Sequence, residues 1–124
     1  MKLEAAIQNG YQILQKNDIK TALLDSEILL SVAINKSREY IILNSNLDIS
    51  NKEYIYYQKM VNQRSKGKPI AYLTEKKFFW KHEFYVNEKV LIPRPDTEII
   101  IEQVLRIYKN KNNINFLDIG FGSG

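Results

Sequence analysis

The chain has no cysteine, which excludes disulfides and thiolate metal sites. It has one histidine, His82, so a histidine-built metal centre or a Ser/His triad has too few parts. No apolar run approaches the ~20 residues needed to span a bilayer. The opening Met1-Lys2-Leu3-Glu4 leads into polar, helix-like sequence with no apolar signal core, so a cytoplasmic protein is expected. Proline is scarce too, with only Pro69, Pro93 and Pro95 interrupting 124 residues. Hydrophobic residues make up 44% and charged residues 26%, an ordinary balance for one small domain, or for one domain and a piece of another.

The net charge of +4 is unevenly spread. Residues 1–57 carry six Lys/Arg and seven Asp/Glu, residues 58–92 carry eight and three, and residues 93–124 carry four of each. A basic middle segment can steer toward nucleic acid. It is read here as a lysine-solvated surface, and direct nucleic-acid binding is not expected.

Hydrophobic periodicity divides the first two thirds into helices. Leu3, Ile7, Tyr11 and Leu14 line a first helix over residues 3–16, with Ala6 and Gly10 on a nearby face. A second runs from Lys20 to Ile34. Leu24, Ile28 and Val32 form its main line, Leu23, Leu30 and Ala33 widen it, and Asp25 and Glu27 are polar exceptions. Being apolar around most of its circumference, it is expected at the centre of a bundle. Residues 36–43 form a short third helix. Ser50 and Glu53 have capping-box spacing for a fourth helix ending near Ser65, with Gly67 as its cap and Pro69 as its stop. Tyr54, Tyr57, Val61 and Arg64 share one face of it and are read as half-buried core.

After Pro69 the pattern changes. Phe78-Phe79-Trp80 and Phe84-Tyr85-Val86 read as two strands around a turn at Lys81-His82-Glu83. Val90-Leu91-Ile92 is a further extended run. Asp96 is placed as the N-cap of a fifth helix, Thr97–Tyr108, with Ile100, Ile101, Val104, Leu105 and Tyr108 on its apolar side and Glu98 at the positive end of its dipole. Asn115–Ile119 reads as a short buried strand.

That strand leads through Asp118 into Gly120-Phe121-Gly122-Ser123-Gly124. Glycines let backbone approach a ligand closely and adopt dihedrals that other residues avoid. An acid at the end of the strand repels a pyrophosphate and suits a cationic, amine-bearing ligand. S-adenosylmethionine has an amine and a sulfonium, so the chemistry tilts toward this cofactor and away from a dinucleotide.

The joint pattern is more specific. Gly67-Lys68-Pro69-Ile70-Ala71-Tyr72-Leu73-Thr74, Phe79-Trp80, Leu91-Ile92-Pro93-Arg94-Pro95-Asp96-Thr97-Glu98 and Leu117-Asp118-Ile119-Gly120-Phe121-Gly122-Ser123-Gly124 together resemble the PrmC/HemK family of peptide chain release factor glutamine methyltransferases. Asp25-Ser26-Glu27-Ile28-Leu29-Leu30 also resembles that family's helical domain.

The resemblance implies a mainly α chain. Residues 1–72 would be a helical bundle that grips class I release factors, and residues 73–95 a β-hairpin and connecting segment. Residues 96–124 would be the first helix and strand of an incomplete Rossmann-like α/β methyltransferase domain. It implies methyl transfer from S-adenosylmethionine to the side-chain amide of the glutamine in a release factor's Gly-Gly-Gln loop. Gly120, Phe121, Gly122, Ser123 and Gly124 would pack on the cofactor's methionine part, beside Asp118, with Arg94, Asp96, Thr97 and Glu98 near the pocket. The family's Asn-Pro-Pro-Tyr motif is absent, so no catalytic residue and no metal ligand is assigned, and this chain alone is expected to be an inactive monomer. Two departures stand out. Glu75 occupies a position usually held by glycine, and Phe121 one usually held by a small residue. Two other readings stay open: a non-catalytic release-factor-binding module, and part of a methyltransferase acting on nucleic-acid base amino groups.

Overall fold

A computed structural model describes all of residues 1–124. The chain divides into two compact units, Met1–Thr74 and Glu75–Gly124.

The first unit consists of five helices: α1 (Leu3–Lys16), α2 (Ala22–Ile34), α3 (Arg38–Leu43), α4 (Asn51–Ser65) and α5 (Ile70–Thr74). Their ends follow local chemistry. The capping box of α4 forms as expected: Ser50 Oγ accepts from the Glu53 amide at 3.3 Å and a Glu53 carboxylate oxygen accepts from the Ser50 amide at 3.0 Å. The Ser50 hydroxyl, which donates to the Glu53 carboxylate at 2.5 Å, and then the Ser50 amide hold that carboxyl below its ordinary pKa. Gly67, at φ +98°, ends α4 in a Schellman turn, with its own amide bonded to the Arg64 carbonyl and that of Lys68 to the Gln63 carbonyl. Asn35, at φ +52°, closes α2 in the same left-handed manner. The N-terminus is stitched to the segment before α4, with the amide of Leu3 on the Leu47 carbonyl and that of Ile49 on the Met1 carbonyl, both at 2.9 Å.

α2 occupies the centre, packing on α1, α3, α4 and α5. The core is built from Leu3, Ala6, Leu14, Leu29, Leu30, Ile41, Tyr57, Met60 and Val61. The faces of α1 and α4 agree with their periodicity, but that of α2 does not. Leu23 and Leu24 are 46% and 41% exposed, Ile28 and Val32 are half-buried, and Ala22, Asp25, Ser26, Leu29 and Leu30 turn inward. A helix apolar on nearly every side offers no hydrophobic preference for one face, so polar partners on its neighbours decide its rotation.

Two sets of contacts make that decision. Asp25, 4% exposed, accepts from Arg64 Nε of α4 at 2.8 Å and from Thr21 Oγ1 at 2.9 Å, while Arg64 Nη1 also donates to the Lys68 carbonyl at 3.1 Å. Ser26 Oγ lies 2.6 Å from the Tyr57 hydroxyl, with the Ile7 carbonyl 2.8 Å from the serine and the Ala6 carbonyl 3.1 Å from the tyrosine, so two hydroxyl protons are shared among three contacts. Burial pushes the Tyr57 phenol up to about 12, against the smaller opposing effect of the Ser26 bond. Gly10 is what lets that hydroxyl reach α1, since a Cβ there would stand 1.9 Å from it.

The second unit holds an antiparallel hairpin, β1 (Lys76–Phe79) and β2 (His82–Tyr85), then a 3-10 turn Pro95–Thr97 running into α6 (Glu98–Tyr108). The hairpin forms, but with a different register from the expected one. Phe79 pairs with His82, so Trp80-Lys81 is the turn, and His82 and Glu83 belong to a strand. Trp80 carries φ +57°, the left-handed sense that a two-residue connection between twisted strands favours at its first position. Phe79 and Phe84 meet edge to face at 6.1 Å.

Other expectations here are corrected. Val90–Ile92 is a turn and loop rather than a strand, with the Val90 amide bonded to the Asn87 carbonyl and Leu91 72% exposed. Asp96 lies inside the 3-10 turn, so α6 starts at Glu98 with no side-chain cap from Thr97. Of the apolar side assigned to this helix, Ile101, Val104 and Tyr108 are half-buried while Ile100 and Leu105 are exposed. Asn115–Ile119 is neither strand nor buried: Leu117 is 85% and Ile119 86% exposed. A strand exists only through hydrogen bonds to a neighbour, and none runs beside this segment. The helix-rich chain with one small hairpin is therefore mainly α.

Candidate cofactor-loop site

The five residues assigned to the cofactor form an open turn. Gly120, Gly122 and Gly124 all take positive φ, at +74°, +60° and +100°, and the Gly124 amide closes the turn on the Phe121 carbonyl at 3.1 Å. Only glycine adopts such a succession of left-handed dihedrals without strain. A Cβ added at any of the three would meet no atom within 4 Å. The Phe121 ring is 68% exposed, and Ser123 is half-buried. Asp118 is exposed ahead of the turn. Behind it, Phe116 meets Tyr108 of α6 edge to face at 5.5 Å, which ties this last segment to the helix.

The Pro-Arg-Pro-Asp-Thr-Glu segment lies at the other end of α6. Pro93 and Pro95 disfavour helix before them, and Arg94 is extended at the start of the 3-10 turn, its carbonyl accepting from the Thr97 amide at 3.1 Å. Glu98 accepts at Oε1 from the Trp80 amide at 2.7 Å. Its carboxylate therefore serves the hairpin tip as well as the helix start. No hydrogen bond joins Arg94, Asp96 or Thr97 to Gly120–Gly124. His82 is exposed in β2 and bonds no other side chain, and no three acidic or histidine side chains converge where a metal ion could sit.

Two contacts went unread in the sequence. Glu98 has helix-start character in any reading, but its partner is a backbone amide 18 residues earlier, which leaves no sequence trace. The Asp25–Arg64 pair spans 39 residues. An acid on the second helix and a base on the fourth were visible separately, and nothing in the periodicity joined them. Glu75 stands at φ +60°, a left-handed conformation that glycine adopts without strain.

Residues 5–74 match the family described as PrmC N-terminal domain. The chain belongs to this family. Among its relatives, the release factor glutamine methyltransferase of Leptospira interrogans is 40% identical over 119 residues, covering 95% of this chain and 42% of the relative. That of Clostridium acetobutylicum is 38% identical over 124 residues, covering all of this chain and 44% of the relative. A protein of the same name from Buchnera aphidicola of Schizaphis graminum is 45% identical over 100 residues, covering 81% of this chain and 36% of the relative. The chain thus spans less than half the length of these relatives. The matched PrmC N-terminal region coincides with the five-helix unit, and no helix anywhere in the chain is long and apolar enough to cross a membrane.

Proposed function

We propose that residues 1–124 are the substrate-gripping and hairpin portion of a cytoplasmic glutamine methyltransferase that uses S-adenosylmethionine to modify the Gly-Gly-Gln loop of class I release factors. The observation that carries this reading is the alignment of nearly the whole chain with release factor glutamine methyltransferases, through the helical unit and on into the glycine turn. In this reading residues 1–72 grip the release factor, residues 73–95 connect, and residues 96–124 begin the cofactor domain.

The glycine turn suits the cofactor's methionine part. Three positive-φ glycines leave backbone exposed with open space before it, and Asp118 offers negative charge to a ligand bearing an amine and a sulfonium. When bound, the cofactor supplies the methyl group. Gly120, Phe121, Gly122, Ser123 and Gly124 would hold it, through main chain more than side chains. The glutamine amide nitrogen is a weak nucleophile, so transfer depends on groups that position and polarise it. Residues 1–124 contain no Asn-Pro-Pro-Tyr sequence for that task. The chain alone is accordingly expected to act as a docking module and to carry out no transfer.

Two measurements test this. Immobilised chain should retain a class I release factor, and calorimetry with S-adenosylmethionine should show no saturable heat. Failure to retain the release factor would remove the gripping role. Saturable cofactor binding would show that one turn suffices for a pocket, contrary to the reasoning above. Salt-sensitive retention of RNA in place of the release factor would favour a nucleic-acid substrate.

A further inference from the structure

The second unit contains a short hairpin whose tip is held from outside. Each strand has four residues, and an isolated two-stranded hairpin of this size is marginal in water. At its tip Trp80 takes φ +57°, an uphill conformation for a bulky residue that persists where neighbouring structure fixes it. The neighbour is Glu98, the last residue of the Pro-Arg-Pro-Asp-Thr-Glu segment, which accepts the Trp80 amide at 2.7 Å while lying half-buried at the first position of α6. A hydrogen bond from an amide to a carboxylate is shorter and stronger than one between neutral groups. The Lys81 ammonium sits 5.7 Å from the centre of the Trp80 ring, adding order at the same tip.

We infer that Glu98 is a positioning residue whose carboxylate latches the hairpin tip to the start of α6, so that hairpin and helix move as one body. The latch stands on geometry alone. Its consequence rests on the methyltransferase reading: the hairpin would be fixed to the helix that leads into the cofactor turn, and would belong to the methyltransferase unit instead of forming a loose connection. A competing role for Glu98 is its negative charge at the positive end of α6, which any acid at that position would supply.

The two roles separate by substitution. Glu98→Gln keeps a side-chain oxygen at the same reach but removes the charge. Glu98→Asp keeps the charge but is one methylene too short to reach Trp80. In the 124-residue chain, amide hydrogen exchange followed by NMR reads Trp80 directly, with the amides of α6 as the control for folding. The latch is expected to keep Trp80 fully protected in the wild type and largely protected in Glu98→Gln, whose neutral oxygen accepts a weaker bond at the same reach. In Glu98→Asp, Trp80 is expected to exchange about tenfold faster or more, while α6 keeps its own protection. The emission of Trp80, the only tryptophan, should shift in Glu98→Asp and not in Glu98→Gln. Protection retained in Glu98→Asp and lost in Glu98→Gln would overturn the latch in favour of the helix-charge role. A Trp80 amide that exchanges freely in the wild type would overturn it as well. Neither result touches release-factor retention or cofactor binding, so this inference and the proposed function can fail independently.

Discussion

Replacing Gly10 with alanine opposes two effects of known size. Gly10 lies within α1, where alanine is the better helix former by about 1 kcal/mol. Local propensity alone therefore expects the substitution to stabilise. Packing expects the opposite. The new methyl would lie 1.9 Å from the Tyr57 hydroxyl, 2.7 Å from Ser26 Oγ and 2.9 Å from Tyr57 Cζ, all inside the limit that real contacts respect. Tyr57 is 1% exposed, so any shift of its ring disturbs packed neighbours. Overpacking of this kind costs about 1–3 kcal/mol. If the hydroxyl moves to make room it leaves Ser26 and the Ala6 carbonyl, and a buried polar group without a partner costs about 1–3 kcal/mol more. Less the propensity gain, the net loss should be about 3 kcal/mol, a large share of the about 4–11 kcal/mol expected for a unit of this size. Urea unfolding followed by far-ultraviolet circular dichroism measures it, because helices dominate Met1–Thr74 and Trp80 lies outside that unit. The same substitution in a Tyr57→Phe background loses the closest contact, so its cost should fall by about 1 kcal/mol or more. A Gly10→Ala protein more stable than the wild type would refute the reasoning, as would an equal cost in both backgrounds.

Other perturbations follow from the same structure. Asp25→Ala leaves Arg64, itself largely buried, without its carboxylate and should cost about 3–5 kcal/mol, whereas Asp25→Ala combined with Arg64→Met should cost less than that single change; a denaturant double-mutant cycle checks both. Glu75→Gly should stabilise the second unit by up to about 1 kcal/mol, the relief of a left-handed non-glycine residue less the added chain entropy, read as slower exchange at the Val86 amide bonded to the Glu75 carbonyl. The Tyr57 phenol is raised in the fold from 10.0 to about 12, so the stability it contributes is fully present below pH 10 and is lost as pH rises toward 12. Over that window the unfolding free energy should fall by about 1.4 kcal/mol per pH unit from this group, and Tyr57→Phe should lack that part of the slope.

What the sequence determined by itself was whatever depends on neighbours close along the chain. The Ser50–Glu53 box, the Gly67 cap, the stop at Pro69 and the apolar faces of the first and fourth helices all involve residues a few positions apart, and each stands where its spacing placed it. The second helix was legible as central because its apolar residues run all round it. That same fact hid its rotation, and the inward turn of Asp25 and Ser26 was decided by Arg64 and Tyr57 on another helix. Leucines at positions 23 and 24 were left to solvent as a result. The hairpin was legible from its aromatics, but its register depended on the left-handed residue at the turn, and nothing about a tryptophan signals that conformation. The glycine turn announced its dihedrals through composition. The strand read before it did not form, because strand identity lies in the partner and the apolar run of one segment cannot supply it. Tertiary structure alone also assigned Glu98 to the hairpin tip, since a carboxylate carries no mark in the sequence of the amide it will meet 18 residues away.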